Sequence, residues 1–270
     1  MRVALFIQTN IIFILIMSNL VLANPISVDR IIAVSFKHYD FEGKEQAGEI
    51  EVLDVTKDNV VQIFKELHKH KFPIHKARPM KYYQGDDELS MSDNNSSSFN
   101  PRFVTGNSSI PSIHAYGLAI DINPIQNPYI VTDKAKDGLT QVLPYQGTAF
   151  LNRHNPRAGM VEDIVEIFAK NGFSIWGGRW NEPIDYHHFQ TSRVVAIILS
   201  KLSYDLGKKF FALYTAHPIL FNKINYQDDK WFKLIEKNPQ QVIDVLRHNI
   251  IELEKIEPDN AYDLLLSKII

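Results

Sequence analysis

The stretch Ser112-Ile113-His114-Ala115-Tyr116-Gly117-Leu118-Ala119-Ile120-Asp121 decides how this chain folds around its most polar site. Its second half alternates as a strand does, with Leu118, Ile120 and the following Ile122 on one face. We expect that face to enter the core. Asp121 lies on the opposite face, beside two residues with almost no side chain, Gly117 and Ala119. The pattern therefore predicts a carboxylate next to open space for a metal ion and a substrate.

A second polar segment, Asp185-Tyr186-His187-His188-Phe189, adds another carboxylate and another imidazole. The two segments together offer two ring nitrogens and two carboxylate oxygens to a metal site. Three ligands and one free carboxylate are typical of a hydrolytic zinc site, which needs an open position for water and a base to deprotonate it. From residue types alone an alternative remains open, in which Asp121 pairs with an arginine or accepts backbone hydrogen bonds.

Composition limits the classes of protein that the chain can represent. It has 270 residues, 45% of them hydrophobic, so it can bury a substantial core. The net charge of −2 argues against a nucleic-acid binder, which normally carries a basic surplus. Cysteine is absent, which excludes disulfides and thiolate metal sites. Any metal ion must therefore be held by His, Asp or Glu.

The N-terminus has the pattern of an export signal. Arg2 provides a positive start, 11–22 is largely apolar, and Val21-Leu22-Ala23 fits cleavage after Ala23. The alternative is an uncleaved membrane anchor, since 3–22 nearly reaches spanning length. We expect a signal peptide at 1–23 and an exported protein, periplasmic or extracellular, with no stable membrane span after cleavage.

Periodicity predicts a mixed region followed by a helical one. Two strands at 31–36 and 48–55 are expected to form a hairpin. A helix should run from Lys57 to about Lys71, with Thr56 as its N-cap. The apolar stripe of this helix consists of Val60, Ile63, Phe64 and Leu67. The other predicted elements are a loop lining a cleft at 84–100, loop-like chain at 126–158, a helix at 159–170, strands at 173–176 and 185–190, and helices from 191 onward, at 228–237, 240–256 and 259–269.

The spaced motifs resemble those of the M15 family of zinc peptidases. Besides S-x-H-x-x-G-x-A-x-D at 112–121 they include Ser98-Phe99-Asn100-Pro101-Arg102, Trp176-Gly177-Gly178, Trp180 and Asp185-x-x-His188-Phe189. The resemblance runs from about Gly48 to Gln190. This family comprises D-alanyl-D-alanine carboxypeptidases, D-Ala-D-Ala dipeptidases and L-alanyl-D-glutamate endopeptidases that cut peptidoglycan stem peptides.

The resemblance implies a role for each matching residue. His114, Asp121 and His188 would hold Zn²⁺, and Asp185 would be the general base. Arg102 would polarise the scissile carbonyl, and Ser112 would contact the substrate. Many relatives have Glu at the base position, so Asp185 leans toward the endopeptidase branch.

The resemblance also implies a fold. We expect an α+β, Hedgehog/DD-peptidase-like core with a small antiparallel sheet at 24–190, followed by a helical C-terminal extension at 191–270. The expected activity is hydrolysis of peptidoglycan stem peptides. The alternative is a non-catalytic, zinc-bearing cell-wall or protein-binding domain of the same fold. The oligomeric state is left open.

One geometric problem accompanies this interpretation. On a regular strand Asp185 and His188 point to opposite faces, whereas Asp185 and His187 share one. The resemblance requires Asp185 in the preceding turn and His188 on the strand, and Pro183 makes a turn there plausible. His187 would then neighbour the site as a substrate-binding or supporting group, unless it is simply packed or exposed.

Overall fold

The computed structural model describes residues 24–133 and 138–269. The predicted signal peptide at 1–23 lies outside the described residues. No helix in the described ranges is long and apolar enough to cross a membrane. Small sheets and helices alternate in the first two thirds of the chain and helices follow, which confirms the predicted α+β class.

The strands are short except for the first two. They are β1 (Ile31–Tyr39), β2 (Glu45–Leu53), β3 (Lys76–Ala77), β4 (Asn95–Ser96), β5 (Phe103–Val104), β6 (Asn107–Pro111), β7 (Ala119–Asp121), β8 (Tyr129–Asp133), β9 (Leu139–Leu143), β10 (Ile175–Trp176), β11 (Ile184–Asp185) and β12 (His188–Gln190). The α-helices are α1 (Lys57–Lys69), α2 (Asp87–Ser92), α3 (Val165–Ala169), α4 (Arg193–Lys201), α5 (Tyr204–Ala216), α6 (Pro218–Lys223), α7 (Lys230–Lys237), α8 (Pro239–Leu253) and α9 (Pro258–Ile269).

The N-terminal hairpin and helix α1 form the first layer, as predicted. Strands β1 and β2 pair antiparallel from Ile31 opposite Leu53 to Tyr39 opposite Glu45. The predicted stripe of α1 is buried against them. Thr56 does precede the helix, but its hydroxyl donates to the Leu53 carbonyl instead of capping α1. The reason is that α1 continues directly from a 3₁₀ turn over Asp54–Thr56.

Two three-stranded sheets carry the polar motifs. The first, called here the ligand sheet, has the order β10-β12-β7, and the second, the base sheet, has the order β11-β8-β9. All pairs in both are antiparallel. The prediction that 126–158 is loop-like is wrong for β8 and β9, which form a hairpin. Pro128 and Pro144 lie just outside its strands, where proline does not interrupt the ladder.

The strand predicted at 185–190 is two strands in two sheets. Asp185 ends β11 in the base sheet, the chain turns at 186–187, and His188 begins β12 in the ligand sheet. The turn therefore follows Asp185 instead of containing it. This break removes the geometric conflict, because the two residues no longer obey the alternation of one strand.

Three further predictions are corrected in detail. The helix expected at 159–170 is only α3, preceded by a 3₁₀ turn over Glu162–Ile164. The segment 84–100 contains α2 and β4, and its polar residues from 94 to 98 are buried. Gly117 and Ala119 do not border open space: a Cβ on Gly117 would lie 2.7 Å from the Leu53 nitrogen, and Ala119 is fully buried in the core.

The helices after residue 191 pack on the mixed part of the chain. Their apolar faces share one buried cluster with residues of the hairpin and of the 112–121 segment, including Leu53, Ile113 and Leu118. Arg30 joins the two parts through an ion pair with Asp54 at 2.9 Å and hydrogen bonds to the carbonyls of Leu199 and Leu202. Helix α4 is thereby fixed beside the polar site.

Candidate metal centre

Three side chains from the two motifs converge on one point. His114 Nε2 lies 3.1 Å from Asp121 Oδ2 and 3.1 Å from His188 Nδ1, and His188 Nδ1 lies 3.0 Å from Asp121 Oδ1. All three residues are buried. They form a group that could hold a metal ion, as the sequence predicts for these residues.

The outer nitrogens of both imidazoles fix which ring atom faces the centre. His114 Nδ1 lies 2.6 Å from the Ser98 carbonyl oxygen, and His188 Nε2 lies 2.8 Å from Gln190 Oε1. Since each oxygen only accepts, each outer nitrogen donates. In neutral imidazoles both inner nitrogens then present lone pairs to each other, an arrangement that requires a cation between them.

The local structure around each ligand explains its position. His114 lies in a 3₁₀ turn over Ile113–Tyr116, and the Ser112 hydroxyl accepts a hydrogen bond from the His114 backbone N–H. Gly117 ends that turn with φ +66°, a conformation that glycine adopts without strain. Asp121 and His188 are direct partners across β7 and β12, which brings their side chains together.

The separations fit a tetrahedral metal ion. Zinc–nitrogen and zinc–oxygen bonds of about 2.0–2.2 Å at tetrahedral angles place neighbouring ligand atoms roughly 3.3 Å apart. Each pair of residues has ligand atoms 3.0–3.1 Å apart, close to that value, although His114 and His188 approach different oxygens of Asp121. With one atom taken from each residue, the three atoms lie within 4.8 Å of one another. Outer hydrogen bonds to a carbonyl and an amide oxygen are also typical of metal-binding histidines.

The electrostatics of the cluster favour a positive charge at its centre. Burial raises the pKa of Asp121, but the charges of His114 and His187 and hydrogen bonds from His114 and His188 outweigh it, so the pKa lies well below its usual range. Burial lowers the pKa of His188, but the hydrogen bond and charge of Asp121 raise it to about 9. Without a metal ion, a proton occupies this place.

Asp185 lies beside the cluster without joining it. Its Oδ1 is 3.0 Å from His187 Nε2, in a geometry that forms no hydrogen bond, and this buried atom has no other hydrogen-bond partner among the described residues. His187 Nδ1 donates to the Asn127 carbonyl at 2.8 Å, and its Nε2 also lies 3.9 Å from Asp121 Oδ2. Burial raises the pKa of Asp185, although the charges of His187 and His188 oppose the rise.

A cleft of about 1120 Å³ opens onto these groups. Its walls include His114, His188 and Asp185, together with Ser112 and Arg102. His187 is buried behind the wall and does not line it. The cleft thus brings together two of the three predicted ligands, the predicted base and two further predicted residues, whereas the third ligand, Asp121, is buried and does not line it.

Arg102 reaches the cleft already paired. Its Nη2 lies 2.9 Å from Asp87 Oδ2, and its Nη1 donates to the Phe103 carbonyl at 3.3 Å. Its Nε is buried without a hydrogen-bond partner in the described structure. The neighbouring wall carries Tyr129, which is the direct cross-strand partner of Asp185.

Sequence reasoning missed several cleft residues. Gln190 lies two positions after His188, so the alternation of a strand would have placed both on one face. Tyr129 lies in the segment that was predicted to be a loop, so no strand pairing with Asp185 was expected for it. Arg193 begins α4, and no local pattern distinguishes it from a solvated helix residue.

Comparison with known families agrees with this geometry. Residues 105–191 match the family model described as D-alanyl-D-alanine carboxypeptidase, which is about a third of the chain. Arg102 precedes the matched range and Arg193 follows it. Searches of curated proteins and of solved structures gave no match. The match and the cluster of His114, Asp121 and His188 confirm the predicted resemblance to the M15 family over residues 105–191.

Proposed function

We propose that this protein is an exported zinc peptidase that hydrolyses peptidoglycan stem peptides. His114, Asp121 and His188 would hold the zinc ion, and Asp185 would be the general base. The observation that carries the proposal is the convergence of three ligand residues beside a cleft that also contains a second carboxylate, Asp185, outside the ligand group. Asp185 has a buried oxygen free of hydrogen bonds among the described residues, as a base awaiting a water molecule would have.

The donor set suits zinc. Two imidazoles and one carboxylate match catalytic zinc sites, which keep a further position open. When bound, Zn²⁺ lowers the pKa of water and acts as a Lewis acid toward the peptide carbonyl. The same three residues, which could hold a metal ion, would also accept other divalent ions.

The chain's own groups would move the proton and stabilise charge. Asp185 takes a proton from the attacking water and can return it to the leaving amine. Its raised pKa makes it a stronger base than an exposed aspartate. Arg102 would donate to the developing oxyanion, with Asp87 holding its guanidinium in place. Such donors contribute roughly 3–4 kcal/mol to transition-state stabilisation.

Ser112 and His187 would support these groups in different ways. Ser112 lines the cleft, so its hydroxyl can meet the substrate while it holds the turn of His114. His187 lies behind the wall between Asp185 and Asn127, which supports a positioning role toward Asp185 more than a substrate contact.

Cleavage of defined stem peptides tests the proposal. The purified protein, stripped of metal and then supplied with zinc, would be incubated with peptidoglycan peptides and the products weighed by mass spectrometry. Loss of a terminal D-Ala indicates a carboxypeptidase, and a cut between L-Ala and D-Glu indicates an endopeptidase. The Asp185→Ala variant should bind zinc and lose turnover.

Two results would contradict the proposal. Unchanged hydrolysis by Asp185→Ala would remove the assigned base. Zinc bound at full stoichiometry with no cleavage of any stem peptide would favour the alternative of a zinc-bearing binding domain.

A further inference from the structure

Arg193 is a cleft arginine without a carboxylate partner. Within the described ranges no acidic side chain lies at ion-pair distance from its guanidinium, and burial lowers its pKa. By contrast, Arg102, the other arginine on the cleft wall, pairs with Asp87. An arginine that is partly buried and unpaired retains the capacity to bind an anion.

Two contacts hold Arg193 in position. Its Nη1 donates to the Pro111 carbonyl at 2.8 Å, and its guanidinium carbon lies 5.4 Å from the centre of the Tyr226 ring. Both contacts leave donors of the planar guanidinium for a further partner. The arginine therefore faces the cleft in a fixed orientation.

Arg193 lines the same cleft as the metal ligands His114 and His188. Pro111 directly precedes Ser112, and the Ser112 hydroxyl accepts a hydrogen bond from the His114 backbone. Gln190, which binds His188, lines the same cleft. The cleft that opens onto the metal centre therefore also contains an unpaired arginine that could receive the free carboxylate of a substrate.

We propose that Arg193 binds the free C-terminal carboxylate of the substrate and so makes the site a carboxypeptidase. The inference rests on the proposed function and chooses between its two activities. It gives the helical extension a part in substrate recognition, because Arg193 opens α4 and Tyr226 lies between α6 and α7. Hydrolysis would add water across the last peptide bond and release one amino acid.

A matched pair of substrates tests the inference. One is an acylated peptide that ends in D-Ala-D-Ala, and the other is the same peptide as its C-terminal amide. The zinc-loaded wild-type protein should prefer the acid in kcat/KM by roughly 10- to 100-fold, the usual range for a charge-assisted contact. In Arg193→Gln this preference should fall toward unity, and Arg193→Lys should retain part of it.

The ratio of kcat/KM for the acid to kcat/KM for the amide distinguishes carboxylate recognition from a structural effect of the substitution. Loss of the Pro111 contact would slow both substrates alike, whereas loss of carboxylate binding slows only the acid. Arg247→Gln removes an exposed arginine from α8 and is the matched control. It should leave the preference unchanged.

A binding experiment distinguishes failure of this inference from failure of the peptidase proposal. Titration calorimetry would compare the acid and the amide on zinc-loaded Asp185→Asn, with and without Arg193→Gln. An Arg193-dependent preference for the acid supports the inference even if the wild-type protein cleaves nothing. Equal binding of both peptides, binding of neither, or hydrolysis with a preference that Arg193→Gln leaves intact would overturn it.

Discussion

The ligand sheet and the base sheet each have three strands, but the first carries metal ligands and the second carries the proposed general base. The ligand sheet carries Asp121 on β7 and His188 on β12, both buried, and Gln190 of β12 accepts a hydrogen bond from the His188 ring. The third ligand, His114, lies in the 3₁₀ turn before β7, and its ring donates to the Ser98 carbonyl. The base sheet has an exposed hairpin end, with Leu139 64% exposed, and it presents Asp185 with an oxygen that has no hydrogen-bond partner in the described structure. Metal affinity and turnover should therefore depend on separate residues.

Removing a ligand should give the largest effect. In His114→Ala we expect zinc affinity to fall by more than the ~10–100-fold that loss of an outer partner costs, because a direct bond to the metal is gone. Hydrolysis should be lost with the metal. Zinc stoichiometry by mass spectrometry of the native protein measures the change.

His154→Ala provides the control for this experiment. His154 is exposed in the loop after β9 and lies outside the metal cluster. Full zinc stoichiometry in His114→Ala would show that the three converging atoms do not form the metal site.

Removing the base should lower the turnover without lowering the zinc affinity. In Asp185→Asn we expect kcat to fall by about 10²–10⁴-fold, the contribution of general-base catalysis, with zinc affinity nearly unchanged. Asp163→Asn, at an exposed aspartate, is the control. If zinc and activity fell together in Asp185→Asn, the division between ligand sheet and base sheet would be wrong.

Removing the hydrogen-bond partner of a ligand should lower the zinc affinity by less than removing the ligand itself. Gln190 Oε1 accepts the hydrogen bond that orients His188. We expect Gln190→Ala to weaken zinc binding by ~10–100-fold while the protein still folds. Competition with a metal-binding dye would measure the affinity, and Gln227→Ala, at an exposed glutamine, is the control. An unchanged affinity would show that the ring of His188 is oriented by packing alone.

The residues of the ligand sheet were largely predictable. The resemblance of the two spaced motifs to the M15 family predicts the three ligands, whereas the residue types alone leave open a non-metal partner for Asp121. The sequence does not predict how the His114 ring is oriented, because the Ser98 carbonyl that accepts its hydrogen bond is a backbone group. Any residue type at position 98 offers that oxygen.

The base sheet was harder to predict. Its hairpin is formed by β8 and β9, and the flanking prolines made the segment read as loop. The break between Asp185 and His188 depends on pairing of β11 with β8, a contact between residues more than fifty positions apart. Local periodicity contains no information about such a contact. The apolar helices after residue 191 were predicted well because a helical stripe is local.

The smallest effect should come from the edge of the base sheet. Glu182 accepts hydrogen bonds from the Thr132 N–H at 2.7 Å and from its hydroxyl at 3.2 Å, and so ties the segment before β11 to β8. An exposed hydrogen bond contributes on the order of 1 kcal/mol, so Glu182→Ala should lower kcat by no more than about tenfold. Zinc affinity should stay unchanged, because no ligand lies on this sheet. Steady-state kinetics with parallel zinc titration would measure both, and Glu236→Ala, in α7, is the control. A large loss of zinc affinity in Glu182→Ala would mean that the base sheet supports the metal centre as well.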